Sequence, residues 1–148
     1  MPSGVVHTGI NLALGGTAAL LGTLAGVAWE KPFWQGMAVG YLVGTFFITP
    51  DVDHYPQRRT SPVRFWGRLG FIWIFYGILF RHRGTSHSWL LGPLTRLIYL
   101  GLLGLPLWWI LAQLELLPQA EALWGALLGY YLSQWVHLAL DRIPLRRI

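Results

Sequence analysis

The sequence contains no cysteine. Disulfides, thiolate-bound metals and iron–sulfur clusters are therefore excluded. Charge is scarce as well. Charged residues make up 11% of the 148 positions, against about 25% in an ordinary soluble domain. There are six acids and a single lysine, Lys31; every other basic residue is an arginine. No Lys or Arg precedes Lys31, so the first apolar stretch lacks the basic n-region of a secretory signal and is expected to stay in the mature chain as a helix. RRM, KH and zinc-finger patterns are absent, and no nucleic acid partner is expected. The net charge of +5 reads instead as a signal of membrane topology.

What is abundant is apolar. Hydrophobic residues make up 54% of the chain, with nine tryptophans, a residue that favours the membrane–water interface. Crossing a hydrocarbon core takes roughly 20 apolar residues. The sequence predicts four such segments, at about 10–29, 33–49, 88–111 and 123–140. The shorter stretch 69–80 suits an interfacial or re-entrant position, with Trp66, Trp73 and Tyr76 as anchors. On that layout Arg58, Arg59, Arg64, Arg68, Arg81, Arg83, Arg142, Arg146 and Arg147 lie on one side, and Glu30, Lys31, Glu115 and Glu121 on the other. The arginine side is then cytoplasmic, and Arg96, two turns into the third span, is expected to snorkel back to it. Pro50 and Pro144 are expected to end the second and fourth helices, Pro118 to lie in the outer loop, and Thr85 or Ser86 to cap the third. Gly15, Gly22, Gly26, Gly36, Gly40 and Gly44 recur near four-residue spacing, which lets membrane helices approach closely. The expectation is one polytopic domain over 1–148, an all-α integral membrane protein of four transmembrane helices plus a short interfacial or re-entrant helix at about 65–80.

The chemistry collects at one end of this layout. All five histidines, His7, His54, His82, His87 and His137, fall on the arginine side, His7 ahead of the first helix. Asp51, Asp53 and Asp141 join them, while the three glutamates stay on the far side. His137 and Asp141, four apart on a helix, share a face with Gln134. Asp51-Val52-Asp53-His54 offers several donors within one turn. His82 and His87 bracket a loop with two hydroxyls and a glycine. Neutral imidazole with carboxylate suits Zn, Mn or Fe(II). The candidate ligands His7, Asp51, Asp53, His82, His87, His137 and Asp141 are enough for one or two divalent ions. Paired ions can activate water and stabilise a leaving oxygen.

Several of these motifs carry a resemblance. Pro2-Ser3-Gly4 with His7, Pro50-Asp51-Val52-Asp53, Arg81-His82-Arg83 with Ser86-His87, the run from Gly92 through Arg96 to Tyr99-Leu100, and the late His137 and Asp141 together span most of the chain. They resemble bacterial metal-binding membrane proteins related to the YdjM-like group of LexA-binding, inner-membrane-associated metal-dependent hydrolases. The resemblance implies a metal-dependent hydrolase in the bacterial inner membrane; nothing in these residues speaks for the LexA partner. The expected substrate is a phosphoester of a membrane lipid or lipid-linked molecule. Asp53, His54 and Arg83 are the catalytic candidates, with His54 as ligand or acid–base group. Arg83, Arg58 and Arg59 would neutralise phosphate charge. The alternative is a non-catalytic accessory subunit bound to other integral membrane proteins. A transporter is disfavoured, because the middle of each predicted span carries no charge to mark an ion path.

Overall fold

A computed structural model describes residues 4–54, 66–80 and 85–144. Among them all regular structure is helical. Five α-helices run in the order α1 (Gly4–Leu24), α2 (Pro32–Phe46), α3 (Ile72–Leu79), α4 (Leu91–Gln113) and α5 (Ala120–Leu140). Three 3₁₀ turns, Pro50–His54, Gly67–Phe71 and Thr85–His87, lie between α2 and α4.

The helix ends have local causes that the prolines only partly signal. Pro32 opens α2 and Pro93 sits in the first turn of α4, where a missing N–H removes no intrahelical bond. α1 ends in a left-handed turn at Gly26, φ 77°. There Val27 N–H donates to Gly22 O at 2.9 Å and Gly26 N–H to Thr23 O at 3.1 Å, the paired bonds of a Schellman motif. α4 and α5 end in the same way on non-glycine residues, Glu115 (φ 57°) and Arg142 (φ 55°). Arg142, not Pro144, therefore stops α5. The first turn of α4 is tied by Ser88, whose Oγ accepts from Gly92 N–H at 2.8 Å, rather than by Thr85 or Ser86. α1 begins by Gly4, so His7 lies inside the helix and not ahead of it.

α2 and α5 run side by side in parallel, and glycine makes their contact. A Cβ at Gly36 or Gly40 would fall on the backbone carbonyl of Ala122 or Ala126; one at Gly125 or Gly129 would fall on that of Phe33 or Met37. Backbone meets backbone, a small-xxx-small contact of the kind that lets helices pack closely in membranes. Gly44 completes the α2 row against Ser133 Oγ. Gly15 and Gly22 do something else: they make room for the rings of Tyr41 and Trp29.

Within 67–79, Trp73 and Tyr76 are core residues rather than free anchors, while Leu69, Phe71, Phe75, Ile78 and Leu79 are exposed. Trp73 and Tyr76 are fully buried, packed with Val52, Tyr99 and Leu100, and Tyr76 OH shares a 2.9 Å hydrogen bond with Thr95 Oγ1. Trp66 is half-buried, its Nε1–H donating to Phe47 O at 2.7 Å. Buried aromatic N–H and O–H groups usually find such partners, although Trp73 Nε1 has none.

Burial is inverted relative to a water-soluble domain. Among the described residues the buried set includes His7, Asn11, Thr45, Ser86, His87, Arg96, Ser133, Gln134 and His137, while Leu20, Leu24, Leu102, Leu107, Trp109, Trp124 and many other large apolar side chains are exposed. Apolar exposure on this scale exceeds what monomeric soluble proteins tolerate. Two helices, α1 and α4, are long and apolar enough to cross a membrane by length and composition. α2 is too short for that test at 15 residues. α5 has 21 residues but spends several of them on buried polar groups, including Ser133, Gln134 and His137.

Candidate metal centre

Four separate segments deliver the site. His7 comes from the first turn of α1, Asp51 from the 3₁₀ turn after α2 and His87 from the end of the turn before α4. His137 lies in the last turn of α5, and Asp141 caps that helix. His7 Nε2 lies 3.1 Å from Asp141 Oδ1. His137 Nε2 is 3.6 Å, and His87 Nε2 4.0 Å, from Asp141 Oδ2. His137 Nε2 is also 3.7 Å from Asp51 Oδ2. The imidazoles of His7 and His137 stack with centroids 4.1 Å apart and planes inclined by 18°. Two donor triads result, His7–His137–Asp141 and Asp51–His87–Asp141, each with its ligand atoms within 4.8 Å of one another. Asp141 belongs to both.

The donor atoms fit a cation better than they fit each other. His137 Nε2 and both oxygens of Asp141 are buried, and none makes a hydrogen bond, although nitrogen and oxygen come close. The Asp141 side chain is 1% exposed. A carboxylate so placed forfeits water without regaining its hydrogen bonds, unless a positive ion takes their place. Burial pushes the Asp141 pKa up, but the hydrogen-bonding proximity and charge of His137, together with the charge of His7, outweigh this and hold it below the ordinary carboxylate value. Asp141 is thus kept in the ionised form that ligation requires.

Behind the donors lies a buried polar network. Arg96 is 0% exposed. It donates through Nη1 to Gln134 Oε1 at 2.9 Å and through Nη2 to Ser86 O. Gln134 Nε2 donates in turn to Gly44 O at 3.1 Å. One guanidinium and one amide thereby tie together the segment ending in His87, the helix carrying His137 and the helix leading to Asp51. Arg96 does reach back toward the site end of α4, to Ser86 O, but its partners are buried and it stops short of the surface. A charged residue inside an apolar helix nearly always faces polar partners, and that signal could have found it.

Five of the residues expected to ligate, His7, Asp51, His87, His137 and Asp141, come together. His82 and Arg83, with Arg58 and Arg59, lie outside the described residues. So do the side chains of Asp53 and His54, whose backbone forms the end of the 3₁₀ turn Pro50–His54.

Comparison with known proteins adds the family. An uncharacterized protein of Aquifex aeolicus (strain VF5) is 43% identical over 63 residues, a region covering 42% of this chain and 42% of that relative's length. No solved structure matches. Residues 2–147, nearly the whole chain and all five clustered donors, match a single family. The chain belongs to the family of uncharacterized metal-binding proteins (DUF2227).

Proposed function

We propose that the protein is a four-span membrane protein of the bacterial inner membrane that hydrolyses a phosphoester of a lipid or lipid-linked molecule at a metal site on its cytoplasmic face. The observation that carries this reading is the convergence on Asp141. It bears on topology first. α1 leaves the site from His7 and α2 returns to it at Asp51; α4 leaves from His87 and α5 returns at Asp141. If the two long apolar helices cross the bilayer, the two between them and the site must cross back. The arginine-rich segments then share the side of the site, which is cytoplasmic. The inverted burial supports the same reading.

For chemistry, two donor triads that share Asp141 would offer positions for one or two divalent ions. His7 and His137 would complete one position, Asp51 and His87 the other. Nitrogen and oxygen donors without sulfur suit Zn, Mn or Fe(II). Bound there, such ions would supply Lewis acidity toward an ester oxygen and activation of water. The chain's own residues hold the geometry: stacked imidazoles fix one side, and Arg96 and Gln134 brace the elements carrying the other. Thr8, Asn11, Thr45 and Thr49 pack around His7, Asp51 and His137 on the side of α1 and α2. Arg83, Asp53 and His54 remain the catalytic candidates for charge neutralisation and proton transfer. The resemblance to inner-membrane metal hydrolases supports hydrolysis as the reaction class.

The test is elemental analysis of detergent-purified protein beside a screen of lipid phosphoesters. One or two equivalents of Zn, Mn or Fe, lost in Asp141→Ala together with phosphoester cleavage, is the expected result. Cleavage undiminished in metal-free Asp141→Ala would defeat the mechanism.

A further inference from the structure

One buried hydroxyl beside the metal centre has nothing to bond to. On the side of α1 and α2, Thr8, Asn11, Thr45 and Thr49 surround His7, Asp51 and His137. Three of these four are engaged. Thr8 Oγ1 donates to Gly4 O at 3.0 Å and Thr45 Oγ1 to Tyr41 O at 2.8 Å, the backward bonds that threonine makes to the preceding helical turn. Asn11 accepts from Tyr41 OH, which lies 2.9 Å from Asn11 O and 3.1 Å from Asn11 Oδ1. Thr49 stands past the end of α2, off the helical path, and makes no such bond. It is 4% exposed, and its Oγ1 is buried with no hydrogen-bond partner among the described residues.

Water does not supply the partner either. The space these residues enclose is too small for a water molecule, so hydration cannot satisfy the hydroxyl. Threonine here carries a desolvation cost that an apolar side chain of the same shape would not. Thr49 also belongs to the turn that presents Asp51. Val52 N–H donates to Thr49 O at 3.2 Å, at the start of the 3₁₀ turn Pro50–His54, which ties the two residues together. A bare cation, unlike a water, fits among donors that are already in contact. Ligand atoms about 2.0–2.2 Å from one ion stand about 3–4 Å from each other. The separations of 3.1, 3.6 and 3.7 Å that link His7, His137, Asp141 and Asp51 fall in that range.

We propose that Thr49 is a further metal ligand, its hydroxyl oxygen binding the divalent ion that Asp51 binds. The assignment rests on the reading of the clustered histidines and aspartates as the metal centre. It gives the buried hydroxyl its partner, and it narrows the ion: a neutral oxygen donor added to imidazole and carboxylate favours the harder metals, Mn(II) over Zn(II). The hydroxyl at 49 then serves the metal and not the fold.

The test replaces the oxygen with a sulfur that reports on its neighbour. The chain has no native cysteine, and a thiol that coordinates a metal is deprotonated. Full-length Thr49→Cys in detergent, loaded with Co(II), is expected to show a thiolate-to-cobalt charge-transfer band in the near ultraviolet that the cobalt-loaded wild type lacks. Thr49→Val keeps the shape and removes the oxygen. It is expected to weaken Co(II) and Mn(II) binding by about 10-fold or more, since loss of even an outer-shell partner costs that much. Its unfolding temperature in chelator is expected to match or exceed that of the wild type, because the lost hydroxyl had no partner. Thr49→Ser is expected to keep the wild-type affinity. Cobalt bound to Thr49→Cys at wild-type stoichiometry without the band, or undiminished affinity in Thr49→Val, would overturn Thr49 as a ligand and leave the metal centre standing. A wild type that takes up neither cobalt nor manganese would overturn the metal centre itself, and the role of Thr49 with it.

Discussion

Asp141 and Asp51 hold unequal positions among the donors, and the inequality can be measured. Asp141 lies within 4.0 Å of three histidines, its Oδ1 near His7 and its Oδ2 near His87 and His137. Asp51 belongs to one triad only. Asp141→Asn keeps shape and removes charge, so it should empty both positions. Asp51→Asn should empty one. With two ions in the wild type, elemental analysis should read none for the first variant and one for the second; equal losses would mean the two triads are not separate positions that share Asp141. Arg96 acts at one remove. It touches no donor, yet it bonds the residue before His87 and the side chain one turn before His137. Lysine keeps the charge but cannot reach both acceptors with one compact ammonium. Arg96→Lys should weaken metal binding about 10- to 100-fold, as loss of outer-shell support does elsewhere. A metal titration with a competing chelator would measure it. A purely structural arginine would lower the unfolding temperature and leave the affinity of the folded protein unchanged.

At the scale of elements, the α2–α5 pair carries the site. Asp51 hangs from the end of one helix and His137 and Asp141 from the end of the other, so their spacing fixes the distance between the triads. Gly40→Leu would drive a side chain into the Ala126 carbonyl. Overpacking of this kind costs about 1–3 kcal/mol, occasionally more, and backbone that cannot yield places this case at the upper end. Gly16→Ala, which meets no atom within 4 Å, should be neutral within about 0.5 kcal/mol. Denaturant titration in detergent, read by near-ultraviolet circular dichroism, would separate the two. The spacing of Gly36, Gly40 and Gly44 was legible in the sequence because small residues four apart must share a helix face. Their partners Gly125 and Gly129 were equally visible but unclaimed, since nothing local says which helix a glycine row faces. The five clustered donors were legible for a different reason: polar groups that an apolar chain keeps at one end have little else to meet there. Trp73 and Tyr76 were not legible. Tryptophan and tyrosine serve interface and core alike, and burial by α4 is tertiary information. The left-handed ends at Glu115 and Arg142 were hidden because neither residue favours that conformation.

For the whole molecule the question is whether α2 and α5 cross with α1 and α4. α2 alone is about 22 Å long by helical rise, short of a 30 Å core, and the continuation through Phe47 to the Pro50–His54 turn must supply the rest. In a bilayer a glycine-lined backbone contact would shield α2 from lipid along one face, and its exposed residues, such as Val39 and Leu42, are apolar. α5 likewise turns Ser133, Gln134 and His137 inward and Leu123, Trp124, Leu127 and Leu128 outward. Mean hydropathy underrates such a helix, because it averages the two faces. The absence of native cysteine makes the test clean. Single cysteines at Glu30 and Gln119, both exposed, should react with an impermeant maleimide added outside intact spheroplasts. One at Arg142, exposed just past α5, should react only after permeabilisation. A chain in which only α1 and α4 cross would give the same result at Glu30, but Gln119 would be protected along with Arg142. That outcome would put Asp51 and His87 on the opposite side of the bilayer from His7 and Asp141, contrary to the 4.0 Å between His87 and Asp141. Labelling at Gln119 is therefore the decisive position: it reports whether the site that joins four segments also dictates the topology of the four helices that bring them there.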